Sequence, residues 1–178
     1  MNYIVKILAL VCALCLAACA STVKTLPVAS SQVIFSASDS FFVACSNNGM
    51  YNSREYPYSA AEVSNAVYNI LLRHSDYVQK SDTIASRENA LKDAKSKNLK
   101  YLVGIQILQW EDRVSSWLGV PDKVEIKLSI IDCADGKIVH SAVIEGEGPK
   151  YAFGNDYPQD MLGDAAGKYF EALFKKGK

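Results

Sequence analysis

The sequence predicts an α/β domain built on a single mixed sheet, in the order β-α-β-α-β-β-β-α, and three observations predict it. Apolar residues recur at helical spacing in three stretches, each opened by a capping residue. Between and after them lie runs that alternate apolar with polar, or are apolar on both faces, as strands do. Strand–helix–strand spacing demands right-handed crossovers and parallel pairing. A tight Asp135-Gly136 turn predicts a closing antiparallel hairpin.

Before the domain comes an address. Lys6 is the only charge before Cys19, and the apolar run at 7–16 follows it. That pattern is a secretory signal, too short to span a bilayer as a mature helix. It ends Leu16-Ala17-Ala18-Cys19, which resembles the lipobox of bacterial lipoproteins. Small side chains flank the scissile bond, and the thiol of Cys19 takes the lipid. Residues 1–18 are therefore expected to leave as a signal peptide, with Cys19 as the lipidated anchor. Ala20 stands where an inner-membrane retention signal would carry Asp, which by resemblance to Gram-negative lipoproteins implies the periplasmic face of the outer membrane. Residues 20–31 are small and polar with one Pro, so 19–31 read as anchor and tether, and 32–178 as one domain.

Within that domain the run at 41–45 is a short buried strand, preceded by a weaker one at 32–35. Ser59 and Glu62 form a capping box. Behind it Val63, Ala66, Val67, Ile70 and Leu71 make one apolar face of a helix. Residues 77–79 are a brief edge strand. A second helix over 86–97 turns Ala90, Leu91 and Ala94 inward, and Asn98 stops it in the left-handed region. The run at 100–109, apolar on both faces, is expected to be central. In 123–133, Val124, Ile126, Leu128 and Ile130 alternate with polar residues, and 137–145 returns beside it. A second capping box at 156–159 opens a last helix with Leu162, Ala165, Ala166, Tyr169, Phe170 and Leu173 on one face. Numbering the five main strands in sequence, the simplest spatial order is 2-1-3-4-5.

In that order strands one, three and five point the same way, so the segments at 46–58, 111–122 and 146–155 gather at one sheet edge. Both tryptophans and four of the ten tyrosines fall in or beside these segments. Candidate binding residues are Tyr51, Tyr56, Tyr58, Trp110, Glu111, Asp112, Arg113, Trp117, Asp122 and Tyr151. Large amphipathic rings with one wet end suit an interface, and ligands favour the carboxyl ends of strands where the order switches. The alternative is that the rings roof the core. The same topology puts Cys45 and Cys133 at opposite ends of the sheet, and no bond between them is expected.

Chemistry is thin. Glu111 and Asp112 offer paired carboxylates of the kind used on glycans, although Arg113 and Lys123 nearby fit ion pairs equally well. His74 and His140 stand apart, so no metal set, catalytic nucleophile or cofactor loop is read here. Loss of residues 1–18 removes one cation, leaving 18 basic against 19 acidic side chains and a formal charge of −1. A near-neutral chain has no electrostatic footprint for nucleic acid.

Ile107-Leu-Gln-Trp-Glu-Asp-Arg113, followed by Trp117, Gly119 and Pro121-Asp-Lys123, resembles a family of proteobacterial lipoproteins known only as a domain of unknown function. Gly49–Tyr51 and the stretch 154–162 share in it, with Asn155 in place of a usual second glycine. The resemblance implies address and fold, and no activity. More loosely, the strand–helix order is similar to small α/β domains of envelope assembly lipoproteins. The expectation is a non-enzymatic envelope lipoprotein that meets a protein partner through the aromatic edge. The alternative is a lipoprotein that binds or hydrolyses cell-wall glycan through Glu111 or Asp112; carriage of an apolar ligand is a third reading.

Overall fold

A computed structural model of the protein describes residues 22–112, 120–148 and 158–174. Its elements are β1 (Thr22–Ser30), β2 (Ser40–Cys45), β3 (Gly49–Tyr51), β4 (Arg54–Tyr56), α1 (Ser59–Leu71), β5 (Tyr77–Lys80), α2 (Arg87–Ser96), β6 (Tyr101–Glu111), β7 (Lys123–Asp132), β8 (Ile138–Glu147) and α3 (Pro158–Leu173). The architecture is mixed α/β: one six-stranded sheet with helices packed on it, plus the β3–β4 hairpin.

The sheet order is β1-β8-β7-β6-β2-β5. β2 runs parallel to both β5 and β6, because α1 and α2 carry the chain back between them. β6, β7, β8 and β1 pair antiparallel in turn. The five strands expected from the sequence are β2, β5, β6, β7 and β8; in space they run β5-β2-β6-β7-β8, and β1 extends the sheet beyond them.

That extra strand corrects the tether reading. Thr22–Ser30 is not a loose connection but an edge strand, paired with β8 from Thr22↔Glu147 to Ser30↔His140. Most of its side chains are exposed, so it leaves no apolar periodicity to read; β8 recruits it through the backbone. The weaker strand expected at 32–35 is likewise absent. Phe35 makes only an isolated bridge to Phe174.

Side-chain alternation sorts the core into two layers. Phe41, Val43 and Cys45, with Val103, Ile105 and Trp110 of β6 and the even-numbered apolar residues of β7, face α1 and α3. Val63, Val67, Ile70 and Leu71 of α1 and Leu162, Ala166 and Phe170 of α3 close that layer. On the other face Phe42, Ala44, Leu102 and Ile131 meet Ala90 and Ala94 of α2. This second layer is smaller, since the short α2 covers this face mainly over β2 and β6. Cys45 and Cys133 are both free and buried, one in each layer.

Helix ends show what the sequence pattern can and cannot specify. Ser86 caps α2 by accepting from the Asn89 N–H, and Asn98 takes φ 54° beyond its end. At α1 Ser59 is not the cap that the expected capping box requires. Tyr58 is the N-cap, in the left-handed region and without a side-chain cap bond, while Ser59 is turned to other work. Asp156, which would open the box expected at 156–159, lies outside the described residues. At the β7–β8 turn Gly136 has φ 72°, and the Asp135 carboxylate accepts from the Lys137 N–H at 2.9 Å.

Candidate functional site

The row Glu111↔Lys123↔Glu147↔Thr22 crosses β6, β7, β8 and β1 at one end of the sheet. β2 stops short of this end, opposite Ile105. Asn47 fills the gap. Its side-chain amide donates to the Ile107 carbonyl at 2.8 Å and accepts from the Ile107 N–H at 3.1 Å, imitating one more ladder residue. The chain can then leave β2 without abandoning the polar backbone of β6.

Next comes the β3–β4 hairpin, folded over Trp110. Its tip, Asn52 and Ser53, has φ 47° and 65°, the pair of left-handed residues that a two-residue hairpin turn requires. Gly49 lies so close to the indole that an added Cβ would stand 2.4 Å from Trp110 Cβ. Ser59 stitches the hairpin shut: it accepts from the Gly49 N–H at 2.8 Å and donates to the Tyr56 carbonyl at 2.8 Å. Asn48 adds a second stitch, donating to Glu55 and accepting from the Ala60 N–H at the start of α1.

These contacts divide the residues expected to bind. Trp110 is 2% exposed and belongs to the core, so for this ring the roof reading holds. Glu111 is also buried, and its carboxylate accepts from the Gln109 amide. Tyr56 is half-buried, donating its hydroxyl to the Asp112 carbonyl at 3.0 Å, with Arg54 5.1 Å above its ring. Tyr51 and Asp112 are half-buried. So is Asp122, whose carbonyl accepts from the Gly148 N–H. Arg113, Trp117, Tyr151 and Cys19 lie outside the described residues.

Tyr58 is the exception. It is 77% exposed and holds φ 77°, a conformation that costs a bulky residue about 1–2 kcal/mol and that the hairpin–helix junction imposes. Its ring stands on the rim of a groove of about 370 Å³ between the hairpin, the start of α1 and the segment after β5, with Asn48, Pro57, Ser81 and Ile84 among its walls. The segment after β5 went unnoticed in the sequence because it carries no aromatic ring or motif. Cys45 reaches the floor of the groove, its thiol donating to the Asn47 carbonyl and its pKa pushed up by burial. Among the described residues no three His, Cys, Asp or Glu side chains gather as a metal site.

The β2–β6 junction and the hairpin over Trp110 lie within residues 34–173, which the model of one family matches. The chain belongs to the domain-of-unknown-function family DUF4823. Among curated proteins none matches it in sequence. Among solved structures, this DUF4823 chain is similar to the PelC dodecamer from Paraburkholderia phytofirmans, at TM-score 0.64 and 15% identity over 88% of this chain and 100% of that one. A single-substitution variant of that PelC gives TM-score 0.60 at 17% identity, over 86% and 95%. Lipoprotein GNA1162 from Neisseria meningitidis gives TM-score 0.48 at 14% identity, over 75% and 99%. The likeness to PelC is one of fold.

Proposed function

We propose that this DUF4823 chain is a lipid-anchored envelope protein without catalytic activity, which holds a protein partner at the groove beside Tyr58. The anchor reading rests on Leu16-Ala17-Ala18-Cys19, and Ala20, by resemblance to Gram-negative lipoproteins, supports the periplasmic face of the outer membrane. The observation that carries the partner reading is Tyr58: a large amphipathic ring, 77% exposed, kept in a strained backbone by a hairpin with its own hydrogen-bonded stitches. An exposed tyrosine on a rigid rim is the kind of anchor that protein interfaces are built around. Glu111, which would be the carboxylate of a glycan-cleaving pair, is instead buried against Gln109.

Crosslinking with mass spectrometry in intact envelopes tests this. The native chain is expected to yield a defined partner, and Tyr58→Ala to lose it while keeping its thermal midpoint. An unchanged crosslink pattern in the variant would remove the groove from consideration.

A further inference from the structure

Because β1 starts at Thr22, only three residue steps separate it from Cys19, and they span at most ~10–11 Å even fully extended. Thr22 belongs to the cross-sheet row at the hairpin end, paired with Glu147. β6 has 11 residues, which at ~3.3 Å each make the sheet ~35 Å tall. With the opposite end towards the membrane, Thr22 would stand ~30 Å above it, beyond the reach of the link. The position of a single strand therefore restricts how the domain can sit.

The chemistry of the end held nearest the lipid fits that placement. Met50 on the hairpin is 53% exposed, and Tyr51 pairs across the tip with the exposed Arg54. Lys24 and Lys123 stand on the same end of the sheet, where the ladder sets them beside Glu145 and Glu147, so the exposed tip of the hairpin carries the cation, Arg54. A flexible thioether, an interfacial ring and a guanidinium are the groups that enter the headgroup layer and meet its phosphates.

We propose that the hairpin end of the sheet rests against the bilayer that holds the lipid of Cys19, with Met50 and Arg54 in its headgroup layer. The proposal rests on the anchor reading above. The groove beside Tyr58 then opens close to the membrane surface, and a partner is met there rather than deep in the periplasm.

The test uses the full lipidated protein in vesicles of phosphatidylethanolamine and phosphatidylglycerol that carry a spin-labelled lipid quencher. Cys45 and Cys133 are buried, so a fluorophore goes to one introduced cysteine at a time. The sites are Met50→Cys at the hairpin, Val28→Cys on the β1 edge and Asp76→Cys beside the start of β5, at the far end. Quenching is expected to be several-fold stronger at position 50 than at 76, with 28 between them. Insertion of roughly a dozen Gly/Ser residues after Ser21 is expected to erase the difference. Equal quenching at all three sites, or quenching at 28 that matches or exceeds that at 50, would overturn the proposal, the latter meaning that the domain lies on its β1 edge. Persistence of the difference after the insertion would overturn the role of the short link. Mass measurement of the same preparation separates the two readings: an acylated amino terminus with equal quenching sinks this proposal alone, and an unacylated one sinks the anchor as well.

Discussion

At the end of the sheet where β2 and β6 begin, short connections are tied by their own polar side chains. The Asp39 carboxylate accepts from the Ser36 N–H at 2.8 Å and from Lys100 Nζ at 2.7 Å. Ser75 donates to the Asp39 carbonyl at 2.6 Å and accepts from the Tyr77 N–H. Beneath them Phe35, Phe41, Tyr101 and Phe174 form a ring cluster with centroids 4.8–5.6 Å apart. At the opposite end one large ring, Trp110, is covered by a hairpin that two polar side chains hold in place. At the first end the ties are spread over several side chains, so the loss of any one leaves the others in place. The second end centres on the close glycine–tryptophan approach and its polar stitches, and its outer surface carries Met50, Arg54 and Tyr58.

The most severe way to break this contrast is Trp110→Ala. Truncating a fully buried ring costs about 3–5 kcal/mol, and urea unfolding should show a loss in that range. Amide exchange should rise in β3 and β4 far more than around Tyr101. Uniform exchange across both ends would mean that the hairpin does not depend on the indole. Gly49→Ala comes next, at about 1–3 kcal/mol, because the new methyl cannot fit against Trp110 Cβ. Combined with Trp110→Ala its cost should largely vanish, and strict additivity would show that the two residues do not share one contact.

Ser59→Ala and Ser75→Ala sharpen the comparison at equal chemistry. Ser59→Ala leaves the buried Gly49 N–H without its hydroxyl partner, for about 1–3 kcal/mol, whereas Ser75→Ala frees part-buried groups beside solvent, for about 1 kcal/mol. Only the Ser59 variant should also loosen the hairpin in exchange measurements. The smallest expected effect is electrostatic. Burial pushes the Asp39 carboxyl up, but Lys100 and the Ser36 N–H and hydroxyl outweigh it and hold it below the usual carboxylate range. A depressed folded pKa stabilises the protein above the unfolded value of about 3.9, and that stability is lost as pH falls through the folded value. Lys100 is 54% exposed, so solvent screening limits the pair to about 1 kcal/mol or less. Denaturation midpoints should separate native protein from Asp39→Asn at pH 7 and converge as pH falls through the lowered folded pKa; a constant gap would assign the effect to packing.

Much of this was legible in advance wherever burial imposes a period. β6, β7, β8 and the three helices write their apolar faces into the chain, because each must bury one. β1 stayed hidden for the reverse reason: its bonds to β8 are made by the backbone, and its side chains are mostly in solvent. Ser59 carried a true signal with two uses. The pattern Ser59–Glu62 fits a capping box, yet the hydroxyl serves Gly49 and Tyr56, a choice that depends on a hairpin fold no local pattern encodes. Trp110 and Tyr58 look alike as aromatic residues flanking loops. What separates the buried ring from the exposed one is that β6 carries the first into the core while a left-handed junction turns the second out.

β1 has a last consequence, for molecules that meet side by side. Among the described residues its outer edge has no neighbour in the sheet, and an edge of nine residues is long enough for a strand of another copy to zip along. Pro27 interrupts it with a residue that has no N–H to offer, and the register slips between Pro27 and Ala29. A neighbour arriving at that flank finds a broken row of donors, the kind of interruption that works against strand-to-strand growth from an edge.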